Sequence, residues 1–361
     1  MAEGAAASPA PAAERPLRSV AIVMLTAVGD VVHVLPVVNS LRAAHPDVRI
    51  TWIVQPGPGG LVAGHPAVDE FILFDRRQGW RAFRDLRRAV RGRRFDLVLA
   101  LQDYLKAGVI AALLPADRKL GLDRARARDL NWLFTTERVA PRPPRHTQEQ
   151  YLEFLEHLGI PVRLDWTGLG PTPAEAERYA PLLPPHPGPT VALVIGTSKP
   201  AKEWPVERYA ELVDRLHEET GARAILVGGR SLREAEAAER IAAIAAHPPL
   251  DLREWDLRRV AFLLDRADVV VSPDTGPLHI AVALGTPSVA LMGYTNPKRV
   301  GPIRFRDLLV DAFGDPGEEY GPEAGRREGR MDRIEVEMVL EKVELALRRY
   351  PKERSAGQSG P

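Results

Sequence analysis

The chain has 361 residues, 45% hydrophobic and 27% charged, the make-up of a soluble globular protein with room for two domains of ordinary size. A net charge of +1 gives no general affinity for polyanions, and no basic stripe interleaved with aromatics argues for nucleic acid as a partner. The absence of cysteine excludes disulfides, zinc–thiolate sites and thiol nucleophiles, and no apolar run approaches the roughly 20 residues that span a bilayer.

Residues 1–17 are rich in Ala and Pro, carry Glu3 and Glu14, and lack the basic flank and apolar centre of a signal peptide. They read as a disordered leader on a cytoplasmic protein. Apolar strand-like runs follow at 19–25, 49–54, 70–74 and 95–101, with a helix over 31–44 and helical sequence between and after the later strands. Arginines cluster at Arg87-Arg88 and Arg91-Gly92-Arg93-Arg94, either a solvated helix end or a weak patch facing anionic lipid or an anionic acceptor. Prolines at 184, 185, 187 and 189 break the alternation, so 171–189 reads as a linker with a short helix at 174–179. The alternation restarts with strand 190–195, helix 206–219, strand 223–227, helices 232–246 and 256–266, strand 268–272, helix 276–284 and strand 288–292. An amphipathic helix closes the chain at 333–350, and 351–361 reads as a disordered tail. This is an α/β protein with a parallel sheet in each half: one domain at 18–170 and a second at 190–332. Open parallel sheets bind ligands at the carboxyl ends of their strands, so two facing sheets would make a deep cleft suited to two substrates.

Three strand ends in the second half suit a nucleotide. Strand 268–272 runs into Pro273-Asp274-Thr275-Gly276, where a helix begins. Its free N–H groups and dipole favour an anion, Gly276 permits close approach of phosphate, and His279 lies one turn in. The simpler reading is that Asp274 or Thr275 caps the helix. After strand 190–195 the loop 196–205 combines Thr197 and Ser198 with Lys202, which can hold and neutralise a diphosphate. Neither a Walker A spacing nor a G-x-G-x-x-G follows that strand, so ATP hydrolysis and dinucleotide redox lose support. Glu234 and Glu236 follow Val227-Gly228-Gly229-Arg230 and could accept from ribose hydroxyls or simply complement a helix dipole. In the first half, Gly29-Asp30 ends the first strand. Asp30 is either an N-cap or a carboxylate at a cleft-facing strand end, able to take a proton from a hydroxyl.

Together these loops resemble the heptosyltransferase family, glycosyltransferase family 9, of the GT-B fold. The likeness covers residues 19–349 and is strongest at 271–287 (VSPDTGPLHIAVALGTP) and 293–302 (GYTNPKRVGP), with Gly29-Asp30-Val31 and Lys202-Glu203-Trp204-Pro205 in their expected places. The resemblance implies two Rossmann-like domains facing across a cleft. It implies Asp30 as catalytic base, and Lys202 with Thr197 and Ser198 as the phosphate clamp. Asp274, Thr275, Gly276 and His279 become the main donor-binding stretch, Glu234 a ribose contact, and Lys106 and Arg128 basic groups near the acceptor and donor sugar. The implied reaction is inverting transfer without a metal or other cofactor, from ADP-heptose to a lipopolysaccharide-core or other cell-surface glycan. A lipid-linked acceptor would bring the protein to the inner face of the cytoplasmic membrane as a peripheral partner. Departures concentrate in the first half: Met24 and Gln55 stand where basic and acidic residues are usual, residues 100–103 (ALQD) replace Asp-x-Gln-Gly, and 146–150 (HTQEQ) replace His-Ala-Val-Glu-Arg. A sugar-nucleotide epimerase or a UDP-sugar transferase of the same fold, or a non-catalytic sugar-nucleotide-binding protein, stays open as an alternative.

Overall fold

The computed structural model describes residues 17–352, so most of the expected leader and tail lies outside the described residues. Two six-stranded sheets form. The first contains β1 (Ser19–Val23), β2 (Arg49–Val54), β3 (Glu70–Leu73), β4 (Phe95–Ala100), β5 (Ala116–Gly121) and β6 (Glu137–Arg138), in the order β3-β2-β1-β4-β5-β6. The second contains β7 (Thr190–Val194), β8 (Arg223–Val227), β9 (Leu250–Asp251), β10 (Val269–Pro273), β11 (Ser288–Met292) and β12 (Leu309–Asp311), in the order β12-β11-β10-β7-β8-β9. Numbered within each half, both sheets follow the same doubly wound order, and every strand pair is parallel. The central strands are near-continuous apolar runs because helices cover both of their faces.

Twelve α-helices complete the described residues: α1 (Val28–Ala44), α2 (Pro56–Val62), α3 (Trp80–Ala89), α4 (Leu105–Leu113), α5 (Thr147–His157), α6 (Pro173–Tyr179), α7 (Val206–Thr220), α8 (Leu232–Ile244), α9 (Leu257–Arg266), α10 (Gly276–Leu284), α11 (Pro297–Val300) and α12 (Val336–Arg349). None is long and apolar enough to cross a membrane. Among these residues, α3 and α4 cover one face of the first sheet, burying Ala82, Leu86, Ile110 and Ala111 against β1 and β4. The other face carries α1 and α5, whose core runs without a break into α9, α10 and the second sheet through residues such as Leu35, Leu155, Leu263 and Ile280. The outer face of the second sheet is closed by α7, α8 and α12, with Val339 and Val343 of α12 fully buried.

The short edge strands β6, β9 and β12, and the polar β5, were not legible as strands, since they lack an apolar run. Helix α1 begins three residues earlier than the apolar pattern suggests. Asp30 therefore occupies the third helical position and is not the N-cap, which is Ala27. Between the sheets Arg258 acts as a clamp. Its guanidinium donates to Leu61 O (3.0 Å), Leu169 O (2.9 Å) and Gly170 O (2.8 Å), and pairs with Glu175 (2.7 Å) on α6. That guanidinium holds the Glu175 carboxyl down at about 2.

Candidate active site

Both sheets turn their switch points, the gaps between β1 and β4 and between β7 and β10, toward a common junction where the first turns of α1 and α10 meet. Glycine makes that approach possible. A Cβ on Gly29 would stand 2.5 Å from Cδ2 of His279, and one on Gly276 would stand 2.9 Å from Val28. The two helix N-termini thus face each other across the domain boundary, and both carry functional candidates.

On the α1 side, Asp30 is half-buried. One carboxylate oxygen accepts the Ala27 N–H at 2.9 Å, and the other accepts the Tyr151 hydroxyl of α5 at 2.9 Å. Burial pushes the Asp30 carboxyl above the usual carboxylate range, opposed by the Ala27 N–H, the Tyr151 hydroxyl and the His279 ring. A base benefits from that direction, because a more basic carboxylate is the better proton acceptor near neutral pH. Gln102 fastens the preceding loop: its Oε1 accepts from Leu25 N at 3.3 Å, and its Nε2 donates to Thr26 O at 2.5 Å.

On the α10 side, neither Asp274 nor Thr275 caps the helix with its side chain. Asp274 instead accepts from Lys202 Nζ at 2.5 Å on Oδ2, while its Oδ1 lies 3.4 Å from His279 Nε2. Burial would raise the Asp274 carboxyl, but the His279 contact and the Lys202 charge outweigh it and hold the group well below the usual range. Lys202 also donates to Asp274 O at 3.0 Å. An ammonium has three donors, so one remains for an incoming anion, with the N–H groups of α10 beside it. Asp274 thus orients Lys202 and His279 rather than facing an anion with its own charge.

The other expected residues surround this centre unevenly. Thr197 Oγ1 donates to Lys199 O at 2.7 Å within its own loop, and Ser198 is exposed. Glu234 completes a capping box at the start of α8. It accepts from Gly229 N (2.9 Å), Ser231 N (3.1 Å) and Ser231 Oγ (2.6 Å), and its Oε1 lies so close to Gly196 that a Cβ there would clash. Capping is therefore its visible role, and the remaining lone-pair capacity of the carboxylate faces the β7–β8 loops. Lys106 is exposed on the first turn of α4. Arg128 pairs with Asp103 at 3.1 Å and lies over the Tyr104 ring at 5.6 Å. Burial raises the Asp103 carboxyl against the pull of Arg128, and the same carboxyl feels both Asp30 and Arg299 of α11.

Several contributors escaped the sequence reading. Tyr151 donates to Asp30 from 121 residues away. His33 of α1 packs against His279 with ring centroids 4.6 Å apart and against His146 at 6.1 Å. His33 Nδ1 donates to Gln148 Oε1 at 2.9 Å, Gln148 Nε2 returns a bond to His33 O at 2.8 Å, and His146 Nε2 donates to Gly301 O at 2.8 Å. The altered stretch 146–150 therefore works in the joint between the domains, where His146 and Gln148 are buried. Burial lowers both His33 and His146 below the ordinary histidine value, His33 the more strongly.

Two doubly wound sheets meeting at a half-buried carboxylate on one side and a lysine-braced helix N-terminus on the other have the architecture of a two-domain glycosyltransferase of the GT-B fold. Residues 83–314 match the family described as glycosyltransferase family 9 (heptosyltransferase). The lipopolysaccharide core heptosyltransferase OpsX of Haemophilus influenzae is 29% identical over 334 residues, covering 90% of this chain and 95% of that protein. The Escherichia coli heptosyltransferase WaaC, solved with ADP, is 26% identical with a TM-score of 0.72, covering 91% of this chain and 99% of that one. A glycosyl transferase family 9 structure from Veillonella parvula reaches a TM-score of 0.79 at 22% identity, over 94% of this chain and 100% of that one. The chain belongs to glycosyltransferase family 9.

Proposed function

We propose that the protein transfers heptose from ADP-heptose to a lipopolysaccharide-core or other cell-surface glycan, with inversion and without a metal. The observation that carries this reading is the meeting of Asp30 with the Lys202–Asp274–His279 network across the α1–α10 junction. The WaaC structure with ADP and the heptosyltransferase relatives support the donor and the class of acceptor. Asp30 takes the proton of an acceptor hydroxyl as its oxygen bonds to the anomeric carbon from the face opposite the diphosphate. The bond from that carbon to the diphosphate breaks, and ADP leaves. Lys202 and the N-terminus of α10 stabilise the charge growing on the leaving diphosphate, with Thr197, Ser198, Thr275 and Gly276 lining the same anion site. Glu234 receives ribose hydroxyls, while Lys106 and Arg128 serve the acceptor and sugar side. In this reading 18–170 is the acceptor-side domain, 171–189 the linker, 190–332 the donor domain and 333–350 the closing helix. The protein works in the cytoplasm, in peripheral contact with the inner membrane that carries its acceptor.

The deciding experiment is Asp30→Ala. The variant is expected to fold and to bind ADP with parental affinity in calorimetry, while nucleotide release in the presence of acceptor falls by about 10²-fold or more. Parental turnover would remove Asp30 from the role of base.

A further inference from the structure

The second sheet sets its ligand-suited loops in a row. Its strand order is β12-β11-β10-β7-β8-β9, so the carboxyl ends of β10, β7, β8 and β9 stand side by side at spacings of about 4.8 Å. The N-terminus of α10 follows β10, Lys202 follows β7, and Gly228-Gly229 with Glu234 follow β8. Glu234 ties the middle of the row together. A Cβ on Gly196 would clash with its Oε1, and its Oε2 lies 3.1 Å from the point where a Cβ on Gly229 would stand. In the donor reading above, diphosphate and ribose occupy these three places in turn. A nucleotide laid along the row carries its base beyond Glu234, over the ends of β8 and β9.

Trp255 stands there. After β9 the chain runs on beside the end of β8: Leu252 N donates to Leu226 O at 3.0 Å, and Glu254 N donates to Gly228 O at 2.8 Å. These bonds fix the backbone that carries the indole, which is 66% exposed. The bare backbone of Gly229 lets the ring lie close, since a Cβ there would stand 2.8 Å from Cζ3 and 3.1 Å from Cε3 of the indole. The same point is 3.1 Å from Glu234 Oε2, so ring and carboxylate flank one glycine. The chain has six tryptophans. Trp52, Trp80, Trp132, Trp166 and Trp204 each pack with a ring or a guanidinium. Among the described residues Trp255 has no such partner, and its ring is held by the backbone beside a ribose-suited carboxylate.

We propose that Trp255 is the platform on which the donor's nucleobase stacks, and that it sets a preference for a purine nucleoside diphosphate over a pyrimidine one. The two fused rings of a purine cover more of an indole than a single pyrimidine ring does, and stacking on an aromatic side chain follows that overlap. The inference rests on the donor reading above and adds to it the residue that selects the base.

Calorimetry of the full chain with ADP, UDP and inorganic pyrophosphate is the test. The parent is expected to bind ADP more tightly than UDP. Trp255→Ala is expected to lose about tenfold or more in ADP affinity and to lose less with UDP. It should bind pyrophosphate as the parent does, since Lys202 and α10 are untouched. Trp255→Phe keeps a ring and should recover most of the ADP affinity. Because the side chain is exposed, both variants should melt with the parent. Parental ADP affinity in Trp255→Ala would overturn the proposal. So would an equal loss with ADP and pyrophosphate, which would make the ring a prop for the loop, or a parent that does not favour ADP over UDP. Absence of ADP binding in the parent would remove the donor reading and this inference with it, whereas a parent and a Trp255→Ala variant that bind ADP equally would remove the inference alone.

Discussion

Replacing Tyr151 by Phe removes one hydroxyl from the Asp30 carboxylate and leaves the Ala27 N–H in place. A hydrogen bond to a charged group contributes about 1.5–3 kcal/mol. The bond at 2.9 Å is made to the ionised form, so its loss destabilises that form and sends the Asp30 carboxyl further above the usual range, in the direction burial already pushes it. The base acts ionised. A higher carboxyl value therefore moves the acidic limb of kcat/KM to higher pH, and activity present above the limb is lost as pH falls through it. Below the parental limb the variant should be slower by about 10- to 100-fold, the same free energy read as a rate. Above the limb its rate should equal the parent's or exceed it slightly, because the carboxylate is then the stronger base. The assay is released nucleoside diphosphate across about pH 5–9 at subsaturating acceptor, where kcat/KM reports groups of the free enzyme, with ADP affinity by calorimetry as the control. An acidic limb at the same or lower pH in Tyr151→Phe would refute the reasoning, as would an equal loss at every pH.

Lys202→Ala should weaken ADP binding by about tenfold or more, since a charge-assisted contact is lost and Asp274 keeps only His279 beside it; unchanged calorimetric affinity would place the phosphate clamp elsewhere. Gly29→Ala should cost about 1–3 kcal/mol despite alanine's better helix propensity, because the new methyl would stand 2.5 Å from the buried His279 ring. Its melting temperature and turnover should fall together, and a stabilised, fully active variant would contradict the close approach of α1 and α10. His33 and His146 are buried with values lowered from 6.5. The unfolded chain therefore binds protons that the native joint refuses, and stability should rise with pH up to about 6.5 and decline below it. Urea unfolding at several pH values should show that slope, and His33→Asn should flatten it; an identical slope in the variant would clear His33 of the effect.

What the sequence disclosed followed the length of chain over which each feature is written. The second half showed its anion-suited loops because strand, loop and helix start lie close together in the chain: β10 with Asp274 and Gly276, β7 with Lys202. The alternation of buried strands and helices gave the two α/β halves, and the observed bounds of α10 and β11 match the apolar pattern. The edge strands were illegible because β5 and β6 carry charge and β9 has only two residues, so their pairing comes from the neighbouring strand. Asp30 was legible as a candidate, but its environment was not. Asp30 reads locally as a cap, and its bond to Ala27 N is local; the Tyr151 bond that changes its chemistry comes from α5, across 121 residues. The stretch 146–150 shows the same limit from the other side. As sequence it looks like a weakened acceptor motif, whereas in the fold Gln148 holds His33 and His146 reaches Gly301 of the opposite domain. A substitution there would change how the halves meet, and the junction between α1 and α10 is where Asp30 and the Lys202–Asp274–His279 network come together. A variant at His146 should therefore alter kcat more than ADP affinity in calorimetry, because the proposed donor groups Lys202, Asp274 and Gly276 all lie on loops of the second sheet; an equal loss in both would contradict that placement.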